Sequence, residues 1–359
     1  MVVVVTGLLG PVTSSQAQTP RPPTYDFTGD GTSDLLYHHS NQRTVAIWDF
    51  EPNGSITYRT IGQADAPWSI QGAGDYNGDG TSDILFRHGT TGAVGYWAIS
   101  NGLLTGFVPL RWDTDPTWTI VSSRGRSDLN GDGRDDILRR HADGEIRVYR
   151  MTGGGPFEFV WDVLGHVPPS WAVRGTGDFN GDGPEDILWQ STESGGVGYW
   201  AMNGGVLGWT ELLPSLDLSW QARGIGDFDG DGLADIYWRN ETTNEEGWWD
   251  IDGGLLSGFR PSRQTVFAPM EVRTGDYAGD GSEDFAFTSP WQGPPHIPGP
   301  ETATIEDYVS GTVTRTRRFA SYDPRWNVQQ RSFIVAGGKF WRVRRPLPSR
   351  LPQQPLQFA

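Results

Sequence analysis

The chain has 359 residues and no cysteine, so it offers no disulfide framework, thiolate zinc site or thiol nucleophile. Glycine (49), proline (25) and tryptophan (17) are abundant while charged residues make up only 20%, a balance of short strands and tight turns that argues against long helices. The formal net charge is −16, and where the acids fall along the chain decides what that charge means.

Residues 1–17, MVVVVTGLLGPVTSSQA, are uncharged, begin with an apolar run and end in Ser15-Gln16-Ala17, the small-x-small form of a cleavage site. A positive n-region is missing, but the segment reads as a signal peptide and the expected location is secreted or periplasmic. The apolar run is far shorter than the ~20 residues of a membrane-spanning helix, and no other stretch qualifies. Residues 18–23 read as a linker, 24–345 as one repeat domain and 346–359 as a proline-rich tail.

A nine-residue element, DYNGDGTSD in its second copy, starts at Asp26, Asp75, Asp128, Asp178, Asp227 and Asp276, with spacings of 49, 53, 50, 49 and 49 residues. Each copy follows a Trp-led run such as PWSIQGAGD and precedes an apolar run such as DILFRH. A third run reaches an aromatic at Trp48, Trp97, Tyr149, Trp200, Trp249 and Tyr308, and a fourth, such as LLTGFVPL, closes the period. Four strand-like runs in roughly 50 residues predict an all-β fold, a β-propeller of four-stranded blades. The first copy lacks a preceding Trp-led strand, while PRWNVQQRSFIVAGG near the C-terminus has that strand and no loop. Six blades are therefore expected, closed by the strand around Trp326, with seven as the alternative if residues 331–345 form parts of another blade.

The nine-residue loop has the donor spacing of a calcium cage, with side chains at positions 1, 3 and 5, a backbone carbonyl at 7 and a later carboxylate. Position 1 is always Asp, position 5 is Asp30, Asp79, Asp132, Asp182, Asp231 and Asp280, and position 9 is Asp34, Asp83, Asp136, Asp186, Asp235 and Asp284. Position 3 holds Thr28, Asn77, Asn130, Asn180, Asp229 and Ala278, so five of six copies carry an oxygen there. Position 7 scatters over Thr32, Thr81, Arg134, Pro184, Leu233 and Ser282, which a main-chain carbonyl tolerates because even proline keeps its C=O. Position 6 is always glycine, which allows the sharp turn around an ion. About one Ca2+ per loop is expected, with the sixth loop weaker for want of an oxygen on Ala278.

The plainer alternative is an Asp/Asn-rich turn whose side chains bond their own backbone. It accounts for positions 1 and 3 and leaves position 9 and the crowding of like charges unexplained. Phosphate is excluded, because carboxylates at this density repel it. Nineteen of the 44 acids sit at these positions, and without them the net charge would be +3. The acidity is local, so no acidic surface made for basic partners is inferred, and nucleic acid is not an expected partner.

His38, Arg87, Arg140, Gln190 and Arg239 share one position at the ends of the second strands, followed by His39, His88, His141, Ser191 and Asn240. They are candidate ligand-binding residues on one rim, set against solvated strand ends. The repeated tryptophans are either the filling between blades or sugar-stacking surfaces. Residues 311–350 hold ten Lys/Arg against Asp323, a basic cluster that suits an anionic surface or balances the acidic loops.

The D-x-N-G-D-G-x-x-D loop between a Trp/Gly-rich strand and a DILF-type strand resembles the FG-GAP repeat of integrin α-subunit propellers, and more closely its bacterial VCBS-type relatives, over about residues 24–336. The resemblance implies calcium at the loop positions named above and a secreted binding or adhesion module, some members being lectin-like. The Gly-Ala-Pro that often follows the integrin loop is missing, and the sixth repeat carries Ala278 and the insertion WQGPPHIPGPE. The expected partners are thus glycans or cell-surface and extracellular proteins. A polysaccharide hydrolase or lyase working in the channel is the enzyme alternative, with Glu145 and Glu246 as non-loop acids, although no nucleophile elbow, HExxH or triad signature is present. A protein–protein scaffold is the third reading.

Overall fold

The computed structural model describes residues 23–39, 43–53, 55–110, 114–121, 126–153, 159–261, 271–289, 302–309, 312–320, 335–336 and 339–340. The first sheet holds β1 (Leu35–His39), β2 (Thr44–Phe50) and β3 (Ile56–Gln63). Five four-stranded sheets follow. They are β4 (Trp68–Gly74), β5 (Asp83–His88), β6 (Val94–Ser100), β7 (Leu103–Leu110), then β8 (Trp118–Ile120), β9 (Ile137–His141), β10 (Glu145–Met151), β11 (Phe159–His166). Next come β12 (Trp171–Gly177), β13 (Asp186–Ser191), β14 (Val197–Asn203), β15 (Val206–Leu213), and β16 (Trp220–Gly226), β17 (Asp235–Asn240), β18 (Glu246–Asp252), β19 (Leu255–Pro261). The last is β20 (Glu271–Gly275), β21 (Asp284–Ser289), β22 (Thr302–Val309), β23 (Thr312–Ala320), after which β24 (Val335–Ala336) and β25 (Lys339–Phe340) pair with each other.

The protein is all-β, with every strand antiparallel to its neighbours in sequence order. The expectation of six four-stranded blades, or seven, is corrected: five blades have four strands, and the sheet begun at Leu35 has three among the described residues. The reason is the one visible in the N-terminal sequence, where no Trp-led strand precedes the first loop. The closing strand assigned to Trp326 lies outside the described residues, as do the segment 1–17, the insertion after Ser289 and the tail 346–359.

Burial follows position in the blade. The second and third strands are largely buried, as in Asp186–Ser191 and Glu246–Ile251, whereas the outermost strands mix exposed and covered residues. The third-strand aromatics fill the gaps between sheets: Trp48, Trp97, Tyr149 and Trp249 are all buried, and Trp97 and Trp200 lie against Gly62 and Gly165 of the preceding sheet's outer strand. A Cβ at Gly62 would come within 3.1 Å of the Trp97 ring, so glycine there is what lets the indole in. The repeated tryptophans are therefore filling between sheets. The sixth aromatic is misplaced by two residues, because Phe285 pairs with Glu306 where Ile84 pairs with Trp97, and Tyr308 falls beyond that register.

Candidate cation-binding rim

Loops 2 to 6 each join the innermost strand to the second one and loop 1 leads into β1, and the glycines at positions 4 and 6 hold positive φ in all six copies, for example +77° at Gly78 and +87° at Gly80. That backbone turns the N–H groups inward onto the position-1 aspartate. Asp26, Asp75, Asp128, Asp178, Asp227 and Asp276 each accept the position-4 N–H on Oδ1 at 2.6–2.8 Å and the position-6 N–H on Oδ2 at 2.8–3.0 Å. The position-5 aspartate accepts the position-7 N–H in five copies, at Asp30, Asp79, Asp132, Asp231 and Asp280. Asn77, Asn130 and Asn180 accept the position-5 N–H at 2.8–2.9 Å.

Position 9 has a job the sequence does not disclose. Its Oδ1 accepts the N–H of Phe50, Ile99, Met151, Met202 or Ile251 in the third strand, and its Oδ2 accepts the position-2 N–H in loops 1, 3, 4 and 5. In loop 2 the Asp83 Oδ2 is buried with no hydrogen-bond partner among the described residues. Turn-type bonding thus accounts for position 9 as well as position 1, and each oxygen keeps lone pairs for a further ligand.

The cost of this burial shows in the carboxyl groups. Burial pushes Asp34 and Asp235 up to about 9 and Asp83 and Asp186 up to about 8, against their backbone hydrogen bonds, with neighbouring loop carboxylates adding to the rise. Asp26, Asp75, Asp128, Asp227 and Asp276 are raised for the same first reason. In loop 5 carboxylate oxygens of Asp227, Asp229 and Asp235 all lie within 4.8 Å of one another. This loop-5 set of positions 1, 3 and 9 fits a hard, oxygen-seeking cation such as Ca2+.

The loops also hold one another. The position-8 N–H of each loop donates to the position-1 carbonyl of the loop before it: Ser82 to Asp26, Asp135 to Asp75, Glu185 to Asp128, Ala234 to Asp178, Glu283 to Asp227, and Ser33 to Asp276. The distances are 2.7–2.9 Å, and the last bond closes the cycle. The variable position-7 side chains have a place too, since Thr81, Arg134, Pro184, Leu233, Ser282 and Thr32 each lie over the position-4 glycine of the preceding loop. Position 7 thus contributes its side chain as well as its carbonyl, and the invariant glycine at position 4 is the sequence signal of that contact.

The strand-end residues lie at the other end of the second strands. Arg140 donates to the main-chain carbonyls of Val167, Pro168 and Trp171, and Gln190 to that of Trp220 at 2.7 Å, so both reach the next blade. Arg239 is buried against Glu246 at 3.1 Å, and Glu246 also accepts from the Tyr237 hydroxyl. The Arg87 carbonyl accepts from Ser69, and the His38 Nε2 is buried. At the next position His88, Ser191 and Asn240 cap the following turn by accepting two of its N–H groups each. Glu145 bonds Arg147 at 2.5 Å, and that guanidinium lies between the Trp118 and Trp161 rings. No helix among the described residues is long and apolar enough to cross a membrane.

A family model described as an FG-GAP-like repeat matches residues 26–86, 128–189 and 178–238. A search of curated proteins returns no match. Among solved structures, the Photorhabdus luminescens Tc holotoxin pore is similar over 82% of this chain at 19% identity and a TM-score of 0.51, the match spanning only 15% of that chain. The Myceliophteria thermophila Cps50 (Swd1) β-propeller domain is similar over 84% of this chain and 92% of its own, at 12% identity and a TM-score of 0.41.

Proposed function

We propose that this chain, which carries FG-GAP-like repeats over residues 26–86, 128–189 and 178–238, is a secreted binding module whose rim of acidic loops takes up calcium and which engages glycans or extracellular proteins. The observation that carries the reading is the closed cycle of six loops with buried carboxylates on one rim. Bound Ca2+ supplies the positive charge that lets those carboxylates ionise inside the protein. The chain's own residues do the rest: positions 1 and 9 fix the backbone, positions 3 and 5 present oxygens, and position 8 passes the order of one loop to the next.

Ligand binding is assigned to the outer strands. Tyr58, Trp161, Trp209 and Phe259 are 46–48% exposed and recur on the outer strands of four different sheets. Flat rings repeated around a circumference suit the apolar faces of sugars, and weak repeated contacts gain strength through avidity. Catalysis by Glu145 or Glu246 is disfavoured, because each carboxylate is already engaged by an arginine. The test is a glycan-array screen of the folded protein in millimolar Ca2+ and in chelator. A calcium-dependent hit supports the reading, and loss of binding on Trp161→Ala locates it. A negative screen with the calcium-loaded protein would turn the assignment to protein partners.

A further inference from the structure

The six repeats vary together at two places that the nine-residue loop does not connect. The first is loop position 3. The second is the third-strand residue that follows the partner of the first residue after the loop: Asp49, Ala98, Arg150, Ala201, Asp250 and Asp307. Where position 3 is Asn77, Asn130 or Asn180, that strand residue is Ala98, Arg150 or Ala201. Where position 3 is Thr28, Asp229 or Ala278, it is Asp49, Asp250 or Asp307, and an arginine follows ten residues later at Arg59, Arg260 and Arg317. The three arginines share one register on the outer strand, opposite Ile47, Trp248 and Ile305.

The first repeat shows what the strand aspartate does. Asp49 is wholly buried, its Oδ2 accepts Arg59 Nε at 2.6 Å, and its Oδ1 has no hydrogen-bond partner among the described residues. It precedes Phe50, whose N–H goes to Asp34 of loop 1 at 3.0 Å and whose carbonyl accepts the Thr32 hydroxyl, itself 2.6 Å from Asp30. The Arg59 stem runs beside Thr28, since a Cβ at Gly102 would lie 3.2 Å from both. In the fifth repeat Arg260 Nη2 bonds Asp229 at 3.0 Å and also Asp250, so the strand aspartate is within one guanidinium of position 3.

Building on the calcium reading above, we infer that Asp49 supplies the loop-1 cation with the carboxylate oxygen that position 3 lacks, and that Arg59 is a positioning residue holding it there. In the sixth repeat the residue at the same register is Asp307, and position 3 is Ala278, which has no side-chain oxygen. The consequence is that loop 1 binds no more weakly than the Asn loops.

The test is calcium titration of the full chain by calorimetry, with terbium luminescence as a second readout. Asp49→Ala is expected to weaken one site about ten-fold or more while leaving the others alone. The double variant Thr28→Asn/Asp49→Ala, which gives the first repeat the pair already present as Asn77/Ala98, is expected to restore that site. The inference fails if Asp49→Ala binds like the parent, or if it weakens a site that Thr28→Asn does not restore, since the aspartate would then serve Arg59 alone. Should Asp49→Ala not fold, the double variant and Thr28→Asn in the parent decide: neither binding as well as the parent would overturn the inference. A parent chain that binds no calcium would sink the calcium reading itself, a distinct outcome.

Discussion

The Ser33 N–H donates to the Asp276 carbonyl at 2.7 Å, so the first acidic loop is bonded to the last across 243 residues of chain. The same bond joins every other pair of successive loops, which makes the rim a continuous cycle in which no loop is an end. Disturbing one junction therefore loosens two loops at once.

That junction can be probed by size. A Cβ at Gly275 would lie 2.7 Å from the Ser33 Cβ, so Gly275→Ala should destabilise the protein by about 1–3 kcal/mol through overpacking. Ser33→Gly removes the opposing atom, and the double variant should recover most of the loss, a coupling read by denaturant unfolding. Simple additivity of the two changes would mean that the contact is absent in solution.

Calcium should stabilise the fold strongly. With a dissociation constant of ~0.1 mM and ~1 mM free ion, each site contributes about 1.4 kcal/mol. Six such sites reach about 8 kcal/mol, comparable to the net stability of a whole domain. Calorimetric scans in millimolar Ca2+ should show a midpoint many degrees above that in chelator, and magnesium should replace calcium poorly because it demands stricter octahedral geometry.

The metal-free protein should lose stability as pH rises. Asp34, Asp83, Asp186 and Asp235 have folded values raised to about 8–9 from an unfolded value near 4, so between those limits the native state binds more protons than the unfolded one. The slope of stability with pH is therefore negative across that window, the full benefit being present below about pH 4 and gone above about pH 9. Metal-free protein melted at a series of pH values from 5 to 9 should show a falling midpoint, and saturating calcium should flatten the trend. A midpoint that rises over this range without metal would contradict the burial assigned to position 9.

Glu246 should prove structural. Its side chain is fully buried against Arg239 and Tyr237, so Glu246→Ala leaves a buried guanidinium uncompensated and should cost about 3–5 kcal/mol in denaturant unfolding. Replacing both members with apolar residues should cost less than that single change.

Much of this was readable because a repeat compares a sequence with itself. Invariant Asp at positions 1, 5 and 9 and Gly at 6 stood out against scattered neighbours, and the Trp-led strand located the blade edge. What stayed hidden were contacts whose second partner is main chain or lies in another repeat. Arg140 and Gln190 looked like a ligand rim, yet they bond carbonyls about thirty residues on, which carry no sequence signal. Position 7 looked indifferent because its partner, the position-4 glycine of the preceding loop, never varies. Tyr308 was placed by residue type, whereas the strand register puts Glu306 there. The four-strand count failed at the first sheet, which holds three strands among the described residues. Asp49 lies in a strand outside the motif, and its signal was the recurrence of Asp and Arg ten residues apart at 49 and 59, 250 and 260, and 307 and 317.

The central claim is that the rim is a ring of cation sites, and native mass spectrometry of the intact protein titrated with calcium tests it most directly. Successive binding of up to six ions, abolished in loop 5 alone by Asp227→Ala, is the predicted result. A spectrum unchanged from chelator to millimolar calcium would contradict it and leave the loops as self-bonded turns.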